Sequence, residues 1–172
     1  MPEDRVRADI RHEFGHLVAA KVLGFQTGGV ELGPTEARAQ IWLRPTLKSV
    51  GDVADYARRR AKVLYAGAGA QTLNKQDKVD GDQVEQLLKT TSSNDHAKIR
   101  ELLRIISAIE HPDAVADAER ELVTTCLDTK LRLETGELVE KHSGLIVALT
   151  EFFIERTHSL KRRECLLREA RF

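Results

Sequence analysis

Aromatic side chains are scarce in this sequence, at 5% of 172 residues. Strands of sandwiches and barrels draw heavily on them, so the shortage argues against an all-β protein. Cysteine is nearly absent too. Cys126 and Cys165 stand far apart and neither belongs to a C-x-x-C pair, so a thiolate zinc site is not indicated. Two reduced thiols fit a cytoplasmic protein. No sign of charge is in excess: 27 Lys and Arg match 27 Asp and Glu, which gives no electrostatic case for a nucleic-acid or membrane-surface partner. Nor does any stretch approach the ~20 apolar residues of a membrane span. The longest apolar region, residues 145–154, is broken by Thr150 and Glu151. The first five residues include Glu3, Asp4 and Arg5 and carry no apolar run behind them, so no signal peptide is expected. A nucleotide-binding G-x-x-x-x-G-K-[ST] loop is also missing.

What remains is rich in Ala, Leu, Glu, Lys and Arg, all good helix formers. With 41% apolar residues, the chain has enough to build one core, and residues 1–172 are expected to form a single domain. Its most informative stretch is Arg11-His12-Glu13-Phe14-Gly15-His16, an H-E-x-x-H pattern inside a helical stretch over residues 5–22. Histidines four apart lie one above the other on a helix face, so both imidazoles can reach one metal ion. Glu13 is placed to take a proton from water at that metal. Apolar Val18, Ala19, Val22 and Leu23 continue the helix, and Gly24 supplies its stop.

Between residues 25 and 45 the pattern changes. Glycines 28, 29 and 33 and Pro34 punctuate two short runs, 30–32 and 39–43, expected to form a hairpin or small sheet. Such a strand can border a peptidase cleft and pair with an extended substrate, or it can simply cover the core. A second helix is expected over residues 50–73. Its Arg58-Arg59-Arg60 reads as a solvated face rather than a nucleic-acid patch, for want of interleaved aromatics. The small residues 66–70 would let another helix backbone approach closely. Residues 74–81 read as a polar loop, where Asp77, Asp80 and Asp82 lack the terminal glutamate of a calcium loop. Thr90 to His96 resembles a helix start before Ile99, Leu102, Leu103 and Ile106, with a side-chain cap expected. Two or three further helices are expected over 112–172: one across 113–132, a break at Thr135-Gly136, a second from Leu138, and a charged end over 160–172. His111, His142 and His158 read as ordinary histidines.

A metal held by His12 and His16 needs a third protein ligand. Asp95 and its neighbour His96 stand in the first turn of the later helix; Glu31 and Glu36 lie where other H-E-x-x-H enzymes find a glutamate. Of the two neighbours Asp95 is preferred over His96.

Three ordered blocks resemble the peptidase domain of the FtsH-type AAA+ zinc proteases. His12-Glu13-Phe14-Gly15-His16-Leu17-Val18-Ala19-Ala20 is similar to the family's H-E-A-G-H-A-x-x-A. Val63 to Gln71 is similar to a helix reading L-x-G-G-R-A-A-E, and Thr91-Ser92-Ser93-Asn94-Asp95 to G-A-x-N-D. The resemblance spans residues 7–105 and implies that His12, His16 and Asp95 bind zinc and that Glu13 is the general base. It implies a mainly α (α+β) fold with a small sheet bordering the zinc cleft: a motif core over 5–109, with C-terminal helices over 112–172. Gln71 departs from the family, which has glutamate there, and so bears on how the metal site is tuned. The expected activity is hydrolysis of peptide bonds in a peptide or protein substrate, with any ATPase on a separate chain. The competing expectation is a zinc-binding regulatory or peptide-binding module with little turnover.

Overall fold

The computed structural model describes residues 3–33, 37–114 and 116–169. In chain order these form α1 (Glu3–Val22), β1 (Gln26–Leu32), β2 (Ala37–Trp42), α2 (Val50–Gln71), α3 (Gly81–Lys89), α4 (Ser93–Glu110), α5 (Asp117–Lys141) and α6 (Ser143–Glu169). The fold is mainly helical with one antiparallel hairpin, as expected from composition and pattern. Among the described residues no helix is long and apolar enough to cross a membrane.

Local chemistry explains where the two site-bearing helices begin and end. Gly24 adopts φ +81, and Phe25 N–H donates to Ala20 O while Gly24 N–H donates to Lys21 O, the paired bonds of a glycine-terminated helix. At the start of α2, Ser49 and Asp52 cap each other: Asp52 N–H donates to Ser49 Oγ and Ser49 N–H to Asp52 Oδ2. Burial then decides how the helices stack. One face of α2 presents Val63, Ala66 and Ala70 to Ile10, Phe14 and Val18 of α1, with Ile146 and Ile154 of α6 in the same cluster. Its opposite face presents Ala61, Leu64, Tyr65 and Ala68 to Ile99, Leu103 and Ile106 of α4 and Leu131 of α5. Covered on both sides, α2 is buried continuously from Val63 to Ala70. Each large aliphatic chain so buried contributes roughly 1.5–3 kcal/mol.

Small residues set how closely α1 and α2 approach. A Cβ on Gly15 would stand 2.6 Å from the Ala70 Cβ and would also collide with the Ala66 backbone. The expected tight packing of the 66–70 stretch against the motif helix is therefore observed.

Several expectations are corrected. The chain does not break at Thr135-Gly136; α5 runs through both. Thr135 is buried and its hydroxyl donates to Leu131 O at 2.6 Å, so the helix supplies its partner. The turn comes at His142, and Leu138 belongs to α5. That helix starts at Asp117, not 113. β1 begins at Gln26, and a register irregularity between Thr27 and Val30 absorbs Gly28 and Gly29 inside the strand. Ser92 precedes α4 without a side-chain cap bond. Arg58-Arg59-Arg60 is not one solvated face: Arg58 pairs with Glu110, and Arg59 with Asp55 and the Leu23 carbonyl. All three arginines are half-buried. The acidic loop serves structure, since Asp80 caps α3 by accepting from Asp82 and Gln83 N–H. His111 and His142 each end a helix. Glu36 and the side chains of His158 and Cys165 lie outside the described residues.

Candidate metal centre

Helix α1 puts the His12 and His16 rings edge to face, 4.5 Å between centroids. Three residues of α2 in helical register, Val63, Gly67 and Gln71, meet them. Val63 O lies 2.7 Å from His16 Nδ1, and Gln71 Oε1 3.0 Å from His12 Nδ1. Between these anchors Gly67 leaves the room the rings occupy: a Cβ there would stand 2.6 Å from His16 Nε2 and 2.7 Å from His12 Nε2. The first turn of α4 brings in Asp95, whose Oδ2 is 3.1 Å from His12 Nε2 and 3.2 Å from His16 Nε2. Glu13 stands beside them, with a carboxylate oxygen within 4.8 Å of the ring nitrogens. Its Oε2 accepts a hydrogen bond from Ala39 N–H of β2 at 2.7 Å.

Counting protons tests whether a metal suits this group. A carbonyl oxygen only accepts, so His16 carries its proton on Nδ1; Gln71 Oε1 makes the same demand of His12. Both Nε2 atoms then offer lone pairs, and so does Asp95 Oδ2. Three acceptors converge there, a conflict that a bound metal ion, or a proton on one Nε2 donated to Asp95, would reconcile. A tetrahedral zinc with ligands at 2.0–2.1 Å separates those ligands by about 3.3 Å, close to the 3.1 and 3.2 Å between nitrogens and carboxylate. The donor set fits. With a proton in place of a metal ion, the same group still draws positive charge. Burial pulls the His12 pKa down, yet its hydrogen bond to Asp95 and the nearby Glu13 and Asp95 charges outweigh this and hold it above the ordinary value. Burial also opposes ionisation of Asp95, but the two histidines hold its carboxyl well below the usual carboxylate range. The His12–Asp95 pair thus favours positive charge on the imidazole and negative charge on the carboxylate.

These groups open into a cleft of about 460 Å³, walled on one side by Ala37, Arg38, Ala39 and Ile41 of β2. The hairpin therefore borders the site. Of the alternatives for a third ligand, His96 does not line the cleft. Glu31 is exposed on the sheet, taking a hydrogen bond from Gln40. Three participants were not singled out from the sequence: the Val63 carbonyl, the Ala39 amide and Arg60, which lines the cleft from α2. For Arg60 a signal existed, since it lies seven residues before Gly67 and thus on nearly the same helix face. A backbone carbonyl and a backbone amide leave no mark in residue identity. No protein-family model matches the chain and no curated protein matches it, so the centre is read from its own geometry.

Proposed function

We propose that this chain is a zinc-dependent metallopeptidase domain similar to the peptidase domain of FtsH-type proteases. One observation carries the reading: His12 Nε2, His16 Nε2 and Asp95 Oδ2 converge as three acceptors, with the Glu13 carboxylate beside them. His12, His16 and Asp95 would hold the metal. The chemistry zinc supplies in such a donor set is Lewis acidity, which makes water nucleophilic near neutral pH and polarises a carbonyl.

The chain's own residues do the rest. Glu13 accepts the proton of the attacking water and returns it to the departing amine. Val63 O and Gln71 fix the tautomer and orientation of the two imidazoles. Lining the cleft, β2 offers backbone groups along which an extended peptide can lie as an added strand. Flexible peptides and unfolded segments are the substrates such a cleft admits, and an unfolding ATPase on another chain would widen that range.

A zinc-binding module with little turnover is the second reading. It draws support from the Ala39 N–H contact, which engages Glu13, and from an amide rather than a carboxylate on His12. The deciding experiment measures zinc content and casein hydrolysis together, for the wild type and Glu13→Gln, with and without chelator. Stoichiometric zinc with chelator-sensitive hydrolysis that Glu13→Gln abolishes is expected. Zinc without hydrolysis would select the module; hydrolysis unchanged in Glu13→Gln would sink the peptidase assignment.

A further inference from the structure

Three consecutive arginines on α2 meet three different fates. Arg58 is paired with Glu110 and Arg59 with Asp55. Arg60 turns into the metal cleft, where among the described residues it has no ion pair or hydrogen bond. It is half-buried, and burial depresses its pKa, with the charges of Tyr56 and Asp95 opposing that. An arginine stays charged even so. Among the described residues no Arg60 nitrogen is both buried and unsatisfied, so the guanidinium keeps contact with the water of the cleft, where a ligand can reach it.

The charge of the cleft points the same way. Asp9, Glu13 and Asp95 are balanced there by Arg38, Arg60 and Lys98. A divalent metal on the histidines and Asp95 turns this neutral lining positive. Lys98 is exposed and stands three residues after Asp95, so it faces the same opening from α4. Anionic substrates would therefore be drawn in, and Arg60 is the group able to grip a carboxylate with two parallel hydrogen bonds.

We propose that Arg60 anchors a carboxylate of the peptide substrate, supplied either by its C-terminus or by an acidic side chain, and so makes the cleft selective for carboxylate-bearing peptides. For cleavage this rests on the metallopeptidase reading; for binding it does not.

Three versions of one otherwise neutral octapeptide test it: a free C-terminus, a C-terminal amide, and the amide with one residue changed to Glu. Binding is measured by calorimetry on metal-free and zinc-loaded chain, and kcat and KM on zinc-loaded chain, for the wild type, Arg60→Gln and Arg60→Lys. The wild type should bind at least one carboxylate-bearing peptide about 10- to 100-fold more tightly than the plain amide, the range expected of a charged hydrogen-bonded pair. Arg60→Gln should erase that difference through KM while leaving zinc content unchanged, and Arg60→Lys should restore part of it. Preference for the free C-terminus or for Glu identifies the source of the carboxylate. Equal wild-type affinity for all three peptides would overturn the proposal, as would equal weakening of all three in Arg60→Gln. Should Arg60→Gln not fold, Arg60→Lys decides: an undiminished preference for the carboxylate-bearing peptides in it would overturn the paired grip assigned to Arg60. Discrimination without cleavage would remove the peptidase reading and keep the carboxylate site; cleavage without discrimination would do the reverse.

Discussion

Replacing Gly67 by alanine, with Gly69→Ala as its partner experiment, isolates the space on which the proposed metal centre depends. Both changes swap a helical glycine for a better helix former, a gain of about 0.8–1 kcal/mol each. They differ in what the new methyl meets. At position 69 the nearest atom is Val139 Cγ2 at 3.5 Å, an ordinary contact. At position 67 the methyl would stand 2.6 Å from His16 Nε2 and 2.7 Å from His12 Nε2. Reaching ordinary contact means moving the His12 ring by roughly 0.7 Å and the His16 ring, whose Cε1 is nearer still, by roughly 1 Å, several times the ~0.2 Å that a metal–ligand distance tolerates. Helix α1 cannot retreat to make room without opening the packing of Ile10, Phe14 and Val18 on α2. Overpacking of this kind costs about 1–3 kcal/mol, partly offset by the propensity gain, so a net loss of roughly 0–2 kcal/mol is expected. For a chain of this size that lowers Tm by up to about 8 °C, while Gly69→Ala should raise it by about 2–4 °C. Zinc affinity, read by competition against a fluorescent chelator with circular dichroism as the folding control, should fall more than about 100-fold in Gly67→Ala alone. Wild-type zinc affinity in a folded Gly67→Ala protein would refute the placement of the centre against α2.

Gln71→Glu gives His12 Nδ1 a charged acceptor in place of the amide at 3.0 Å, so zinc should bind about 10-fold more tightly in the same competition assay. Tyr65 is buried at 2% exposure, and its hydroxyl donates to Asp128. Burial first, then that carboxylate, raises its pKa; the folded state holds the proton more tightly than the unfolded state. Its contribution is therefore complete below the ordinary tyrosine pKa of about 10 and is lost as pH climbs above it. Urea melts between pH 8 and 11 should show wild-type stability falling more steeply above pH 10 than that of Tyr65→Phe, which should cost about 1 kcal/mol at neutral pH. Ser49→Ala removes one half of the capping box on α2 and should cost about 0.5–2 kcal/mol by chemical denaturation, without altering zinc stoichiometry.

Much of the helical plan was legible because it is written in side-chain periodicity. His12 and His16, four apart, share a face by helix geometry alone, and Gly24 marked the end of α1 because only a residue without Cβ sits easily at that φ. The small residues at 66–70 announced a close approach, which Gly15 completes from the other side. Asp95 could be nominated but not placed, since its meeting with the histidines depends on how α4 docks against α2 through Ile99, Leu103 and Ile106. Gly136 misled because a single glycine weakens a helix only by about 1 kcal/mol, less than α5 recovers by burying Leu131, Thr135 and Val139. Gly28 and Gly29 misled for a related reason: strands tolerate them at an irregularity in register. The arginine run looked uniform in sequence, and only the packing of α1, α4 and the hairpin around α2 sends its three side chains in different directions.

The two imidazoles are held by supports of different permanence. His16 hangs from the carbonyl of Val63, a group that every amino acid at that position would provide, while His12 hangs from a side chain that one codon change replaces. Mutation can therefore adjust one ring by changing its support and can barely reach the other. The pair has a fixed post and an adjustable one, and if the proposed metal binds there, position 71 is where its affinity can most readily be changed.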